Sequence, residues 1–355
     1  MSPNRLDPSK SIEKIEQLAI VLAGVGHRTV LVLTHNNPDP DTIGSAAALN
    51  FLLKKRFGVR SIIGYWGVVT RAENKAMIQR LRIEMTQITQ IDWSEYHGVA
   101  LVDAQPGTGN NILDGRGESP MIVIDHHPLR RRTLKAHFHD IRPEYGATST
   151  ILTEYLAAAR LTPGRSVANA LLYGIKADTN SLVRGASKAD FAAYKYLSPL
   201  SNPRVIGWIE RPPLPPDHFV DFHRALSRAT LYRDVAVSDL GRVCSESIVP
   251  EIADLLLRIE GVCWSCSMGR TKDLLLISVR STSRTYAAGD VMGRLVGRKG
   301  SAGGHKEMAG GQIPLDGLSE IETVALERKL VARFLRLINR NGCQPKLLVD
   351  EQCPV

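Results

Sequence analysis

Thr29-Val-Leu-Val-Leu33 is a short, β-branched apolar run. It leads at once into His35-Asn-Asn-Pro-Asp39-Pro-Asp41-Thr-Ile-Gly44-Ser45. The run reads as a buried strand. One imidazole and two carboxylates therefore fall where a strand gives way to a helix, the edge at which open α/β sheets bind ligands. Met121-Ile-Val-Ile124 repeats the arrangement and ends in Asp125-His126-His127. Two such clusters on two strand ends suggest one polynuclear metal centre, because acids crowded there need something to bind them.

The surrounding pattern alternates. Strands are expected over 30–33, 61–63, 99–102 and 122–124, and helices over 44–55, 73–82, 147–160 and 166–176. Ile12, Ile15, Leu18 and Leu22 follow helical spacing behind Ser11, a candidate N-cap. This order predicts an α/β fold whose N-terminal part is a mostly parallel, doubly wound sheet. Four prolines then fall within Glu210-Arg-Pro-Pro-Leu-Pro-Pro-Asp217. Proline sustains neither helix interior nor central strand, so a boundary is expected there. Beyond it come a helix over 218–231, a strand over 235–239, a helix over 250–258, strands over 262–267 and 274–279, a helix over 289–296, a glycine-rich loop and a helix over 319–340. They predict a smaller C-terminal α/β domain, with a cleft between the two. The expected division is a first domain over 1–205, a Pro-rich linker over 206–225, a second domain over 226–342 and a loose tail over 343–355.

No apolar stretch near the start is long enough to span a bilayer, and no signal-peptide pattern precedes it. No membrane association is expected. Five scattered cysteines suit reduced thiols in a cytoplasm better than a disulfide framework. Cys263-Trp-Ser-Cys266 lies in a strand-like run, where residues three apart point to opposite faces. It reads as two strand cysteines. The net charge of +9 has two concentrations. Residues 128–142 carry Arg130, Arg131, Arg132, Lys135 and Arg142. Residues 270–306 carry eight basic side chains, Arg280 and Arg284 among them. Such surfaces favour polyanions.

Candidate ligands fall in four places: His35/Asp39/Asp41, Asp103 after Gly98-Val-Ala-Leu-Val102, Asp125-His126-His127, and Asp178 after Gly174-Ile-Lys-Ala177. Each alone has a bland reading as a turn, cap or surface residue. Together, five aspartates and three histidines fall at one end of the expected elements. Carboxylates with a minority of imidazoles and no thiolate point to Mn²⁺ or a similar octahedral ion. Two ions sharing a carboxylate would clamp a phosphoryl group and generate a hydroxide nucleophile. Phosphoryl transfer needs that charge neutralisation.

In order and spacing, these four places resemble the motifs of the DHH phosphoesterase superfamily. The far end agrees. Val279-Arg280-Ser281, then Gly300-Ser-Ala-Gly303-Gly304-His305-Lys-Glu-Met-Ala309-Gly310-Gly311, resembles the signature of the first type of DHH-associated domain. Ala302 stands where that signature often has glycine, and Pro40 replaces another common glycine. The resemblance implies that His35, Asp39 and Asp103 hold one ion, and that Asp41, Asp103, His126 and Asp178 hold the second, with Asp103 bridging. It places His127 beside the substrate phosphate and lets Asp125 orient the histidine pair. In the second domain it implies that Arg280, Ser281, Gly303, Gly304 and His305 grip the rest of the substrate.

The resemblance therefore implies an enzyme with two Mn²⁺ ions, for which Mg²⁺ or Co²⁺ could substitute. The two-domain length is similar to the bacterial bifunctional oligoribonuclease and 3′-phosphoadenosine-5′-phosphate phosphatase branch. Short oligonucleotides or nucleotide phosphates are the expected partners. Alternatives are a RecJ-like exonuclease on single-stranded nucleic acid, a cyclic or linear dinucleotide phosphodiesterase, and a non-catalytic nucleotide- or nucleic-acid-binding protein. Superfamily pyrophosphatases have a different second domain. A homodimer is left open.

Overall fold

The computed structural model describes residues 6–26, 28–69, 71–283, 285–304 and 306–349. Arg284, His305 and Cys353 lie outside them. The chain divides into two compact units, Met1–Pro212 and Pro213–Val355.

The first unit runs α1 (Ser9–Ala23), β1 (Thr29–Leu33), α2 (Pro40–Phe57), β2 (Ser61–Tyr65), α3 (Ala72–Leu81), β3 (Met85–Gln87), β4 (Tyr96–Val102), α4 (Leu113–Arg116), β5 (Ile122–Asp125), β6 (Phe138–Ile141), α5 (Thr148–Ala158), α6 (Arg165–Asp178), α7 (Lys188–Leu197) and α8 (Pro203–Glu210). Its six strands pair in parallel in the order β3-β2-β1-β4-β5-β6. The order reverses direction between β1 and β4, which is a topological switch point. Val30 and Val32 point into one core, with side chains of α1, α2, α5 and α6. Leu31 and Leu33 point into another, covered by Ile88, Ile91 and Leu113 from short helical turns and α4. Burial on both faces explains why the strands are continuously apolar rather than alternating.

Two helix ends differ from expectation, and both matter to the ligands. α2 starts at Pro40, not residue 44. The Asp39 carboxylate accepts the Thr42 N–H at 3.0 Å as N-cap. Pro40 takes the first helical position, where its missing N–H is no loss. α6 runs on through Asp178. The two helices are pressed together at glycines. A Cβ on Gly44 would lie 2.6 Å from the Ala170 carbonyl oxygen, and one on Gly174 would lie 3.1 Å from the Asp41 Cα.

The second unit runs α9 (Pro216–Ser227), β7 (Thr230–Tyr232), β8 (Val235–Arg242), α10 (Ile248–Leu256), β9 (Trp264–Arg270), β10 (Leu274–Ser281), α11 (Ala288–Val296), β11 (Ser301–Gly304), β12 (Met308–Pro314), α12 (Glu320–Leu337) and β13 (Lys346–Leu347). Its seven-stranded sheet has the order β11-β12-β10-β9-β8-β7-β13. The β8–β9 pair is parallel and the others are antiparallel. On β9, Trp264, Cys266 and Met268 enter the core against α11 and α12. Ser265 and Ser267 on the opposite face donate to carbonyls of α10. Cys266 is buried and Cys263 exposed, so the cysteine pair builds no shared site.

Several expectations need correction. Residues 206–225 are not one linker: α8 and α9 occupy most of them, and only the residues between Glu210 and Pro216 lack helix. Leu231 belongs to β7, since Thr230-Leu-Tyr232 pairs antiparallel with β8. The glycine-rich stretch is no loop but an edge hairpin, with Ala302 opposite Gly311 and Gly304 opposite Ala309. The tail is partly tied down, because Lys346 and Leu347 pair with β7, which lacks another partner on that side. The basic runs are only partly surface. Arg142 is buried between Asp140 and Glu154, with Nη2–Oδ2 and Nη1–Oε2 each 2.6 Å. Arg270 and Arg280 are buried in ion pairs as well. Among the described residues, no helix is long and apolar enough to cross a membrane.

Candidate metal centre

The carboxyl ends of β1, β4 and β5 meet at the switch point, and each delivers ligands there. His35 follows β1, Asp103 follows β4, and Asp125 closes β5 ahead of His126 and His127. Asp39 and Asp41 come from the start of α2, and Asp178 from the end of α6. The ligand atoms form two triads. In each of His35/Asp39/Asp103 and Asp41/His126/Asp178 they lie within 4.8 Å of one another. Asp103 joins the triads. Its Oδ2 is 3.7 Å from His35 Nε2, and its Oδ1 is 3.6 Å from His126 Nε2. All eight residues singled out in this half of the chain are thus brought together.

Asp103 is held in a demanding conformation. Its φ of 55° is left-handed, a region that aspartate and asparagine tolerate better than most residues. Its N–H bonds the Ile124 carbonyl at 2.9 Å, and its Oδ1 accepts from Thr148 Oγ1 at 3.0 Å. Asp41 is fixed by the start of α5. Its two oxygens accept the Thr148 and Ser149 N–H groups at 2.7 and 2.8 Å. Those are otherwise orphaned donors at a helix N-terminus.

Both candidate ligand histidines have their tautomer set by backbone. The Nδ1 of His35 lies 2.8 Å from the Asn36 carbonyl oxygen, and that of His126 lies 3.1 Å from the Tyr145 carbonyl oxygen. A carbonyl only accepts, so Nδ1 carries the proton and Nε2 of the neutral ring is a lone pair. That lone pair faces acids: His35 Nε2 is 3.5 Å from Asp39 Oδ2, and His126 Nε2 is 3.2 Å from Asp178 Oδ2. His126 Nε2 is buried and has no hydrogen-bond partner. Lone pairs aimed at carboxylates across these gaps suit a metal ion, or a proton on each ring, between them. Atoms coordinated at about 2.1 Å to one ion lie about 3.0–4.2 Å apart, so the separations fit a divalent metal.

Without such a cation the cluster takes up protons instead. Burial and the neighbouring Asp178 lift Asp41 to about 7. Burial and the charge of Asp41 push Asp103 well above the carboxylate range. Burial opposes charge on His35, but Asp39 outweighs it and raises the ring to about 9. Burial likewise opposes charge on His126, and Asp178 lifts it to about 10. Asp39 and Asp125 go the other way. Burial would raise each, but His35 holds Asp39 down and His127 holds Asp125 down.

His127 joins a third group with Asp103, Asp125 and His126, its Nδ1 3.8 Å from Asp103 Oδ1. Its Nδ1 is 2.8 Å from Asp125 Oδ1, which orients the ring, and a third of its side chain is exposed. Asp125 is braced in turn by Gln105, whose Nε2 donates to Oδ2 at 2.7 Å.

Residues 29–175 match the model of the DHH family, N-terminal domain, and residues 233–330 match the DHHA1 domain. The chain carries a DHH-family N-terminal domain followed by a DHHA1 domain. An uncharacterized protein of Methanocaldococcus jannaschii is 35% identical over 310 residues, which cover 86% of this chain and 62% of that protein. The chain thus spans less than two thirds of that relative. A probable manganese-dependent inorganic pyrophosphatase of Bacillus velezensis is 27% identical over 180 residues, 49% of this chain and 55% of that protein. The crystal structure of an exopolyphosphatase-related protein from Bacteroides fragilis superposes with a TM-score of 0.69 at 15% identity, covering 92% of this chain and 98% of that one. It shares the fold.

The DHHA1 residues are placed as follows. Arg280 is buried on β10, with Nε 2.5 Å from Asp254 Oδ1 and Nη1 donating to Ser278 Oγ at 2.7 Å. Ser281 Oγ accepts the Ser283 N–H at 2.9 Å. Register brings the edge hairpin to the same end of the sheet: Gly304 faces Ala309, which faces Val279. Gly304 is required by sterics, since a Cβ there would lie 2.5 Å from Ala309. Gly303 is exposed, and a Cβ there would meet no atom. His305 lies outside the described residues.

Three positions that brace the cluster lie outside its sequence motifs. Gln105, Thr148 and Ser149 are buried and hold Asp125, Asp103 and Asp41. The start of α5 was legible near residue 147, which locates the last two. Nothing local marks Gln105.

Proposed function

We propose that this chain is a manganese-dependent phosphoesterase acting on short oligonucleotides (nanoRNA) or on 3′-phosphoadenosine-5′-phosphate. The observation that carries the reading is the pair of triads joined through Asp103. In this reading His35, Asp39 and Asp103 hold one ion. Asp41, Asp103, His126 and Asp178 hold the other, and Mg²⁺ or Co²⁺ can substitute. Bound ions supply Lewis-acid charge and acidify a coordinated water.

The side chains do the rest. Asp41 and Asp103 are locked by Thr148 and Ser149, so the donor set does not have to reorganise during turnover. Asp125 stays ionised and keeps the His127 proton on Nδ1. The His127 Nε2 is then directed to a phosphoryl oxygen, where a protonated ring donates a hydrogen bond or a proton. Arg280 is held by Asp254, Ser278 and the Val279 carbonyl, so a remote phosphate would take its guanidinium by displacing Asp254. The pyrophosphatase relative supports manganese and phosphoric-bond hydrolysis. The DHHA1 match supports a substrate larger than pyrophosphate.

The test is a turnover panel with Mn²⁺: dinucleotides, 3′-phosphoadenosine-5′-phosphate, pyrophosphate, and RNA and DNA of graded length. Two- to five-nucleotide substrates should be cut much faster than twenty-nucleotide strands. Faster, processive loss of the long strands would favour a RecJ-like exonuclease. Absence of any Mn²⁺-dependent hydrolysis would favour a binding protein.

A further inference from the structure

The turn that follows the histidine pair is built unlike an ordinary surface loop. Pro128, Leu129, Arg130, Arg131, Arg132, Leu134 and Lys135 are exposed, while Thr133 in their midst is fully buried. Gln105 explains this. Its Nε2 donates to Asp125 Oδ2 at 2.7 Å, to the His127 carbonyl at 3.3 Å and to the Pro128 carbonyl at 3.2 Å. Its Oε1 accepts the Arg130 N–H at 2.7 Å and the Thr133 hydroxyl at 2.8 Å. One buried amide therefore clamps the basic turn to the carboxylate that orients His127. The stem of Arg132 is seated as well, with Cδ 3.0 Å from the point where a Cβ on Gly107 would stand.

The clamped segment is a 3₁₀ helix, Arg131–Lys135. Residues three apart on such a helix align. Arg131 and Leu134 form one outward row, and Arg132 and Lys135 form a second. Among the described residues, none of Arg130, Arg131, Arg132 and Lys135 is in an ion pair, whereas Arg142 further along is buried in one. Arg130 follows His127 by three residues, so their Cα atoms are at most about 11 Å apart. Unpaired cations on a clamped backbone at that range suit a phosphate next to the one at the metal centre. Leu129 and Leu134, 51% and 57% exposed, add apolar surface that a bare phosphate chain would not use. Base and ribose faces would use it, and arginine planes stack on bases.

We propose that residues 129–135 form a binding site for the strand of a single-stranded oligonucleotide, gripping phosphates and bases beyond the scissile one. This deepens the phosphoesterase reading and rests on it for the location of the scissile phosphate.

The experiment is fluorescence anisotropy of the full chain with a fluorescein-labelled five-nucleotide RNA in EDTA, so that hydrolysis plays no part. Replacing Arg130, Arg131 and Arg132 together by Gln should raise Kd at least about tenfold near 50 mM salt. It should also reduce the slope of log K against log salt by about 2, at ~0.7 per single-strand phosphate contact. The triple Arg→Lys variant should restore most of the slope. Unchanged RNA binding by the triple Gln variant would overturn the site. If inorganic polyphosphate, matched in phosphate concentration, displaces the label as well as unlabelled RNA does, the nucleic-acid assignment falls. Mn²⁺-dependent hydrolysis of dinucleotides and of 3′-phosphoadenosine-5′-phosphate by the natural chain is measured separately. Its absence would sink the phosphoesterase reading while leaving the binding result intact.

Discussion

Replacing Asp103 by Asn separates the electrostatic cost of the centre from its use. Asparagine is isosteric, tolerates the φ of 55°, and keeps an oxygen for the Thr148 hydroxyl. What it removes is a buried negative charge with ligand atoms of Asp39 and Asp125 within 4.8 Å. Two ionised carboxylates at that distance repel by about 3 kcal/mol at an effective dielectric near 20. Protonation relieves part of that, so the metal-free variant should gain about 1–2 kcal/mol. For a unit of this size that is a rise of about 2–8 °C in Tm. The metal response should move the opposite way. If free Mn²⁺ is about 100 times Kd, binding stabilises the natural chain by about 2.7 kcal/mol per ion. Losing the shared carboxylate and about 100-fold in affinity leaves about 0.4 kcal/mol. The assay is a thermal melt with EDTA and with Mn²⁺, alongside turnover of a dinucleotide. A variant that melts lower in EDTA yet keeps the full Mn²⁺ shift and near-normal turnover would refute both the repulsion argument and the bridging role.

Four further outcomes are expected. Asp41 is raised to about 7 against 3.8 unfolded, so its metal-free contribution falls as pH rises between those values; the contributions of His35 and His126, raised to about 9 and 10, are lost as pH rises through them. Metal-free Tm should therefore decline from pH 5.5 to 8.5 while the Mn²⁺-induced gain grows, because the ion displaces those protons; a metal-free Tm that climbs over that range would contradict the sign. Gln105→Glu sets an acceptor against the Asp125 carboxylate and two carbonyls, which should cost about 3 kcal/mol in urea denaturation and lower kcat; a change under about 0.5 kcal/mol would show that the clamp is slack. Gly174→Ala puts a methyl against Ser149 Oγ and 3.1 Å from the Asp41 Cα, so it should cost about 1–3 kcal/mol and weaken Mn²⁺ binding measured by calorimetry. Arg280→Ala should raise KM for dinucleotides more than it slows a small generic diester; equal losses on both would put Arg280 at the chemistry.

What the sequence determined by itself is the placing of acids and imidazoles at strand and helix ends. That was legible because strand and helix signals are local, and ends of parallel strands collect at one sheet edge. The pairing of Asp103 with both triads, the left-handed turn that aims it and the order of the strands are decided by partners remote in the chain. Thr148 lies 45 residues from Asp103, and Ser149 lies 108 from Asp41. Gln105 looks like any surface amide until the fold closes around it and all its hydrogen-bonding capacity is used inside. The same holds for charge. Arg130 and Arg142 are indistinguishable in a basic run, but Asp140 and Glu154 bury one of them, while the clamp at Thr133 holds the other out in water. Gly304 reads as a phosphate loop and is, in the sheet, a residue whose Cβ would strike Ala309. Local propensity and periodicity record which element forms. Only tertiary packing settles which polar groups are satisfied, which glycines are sterically required and which cations are left for a ligand, because each depends on a partner that chain order does not name.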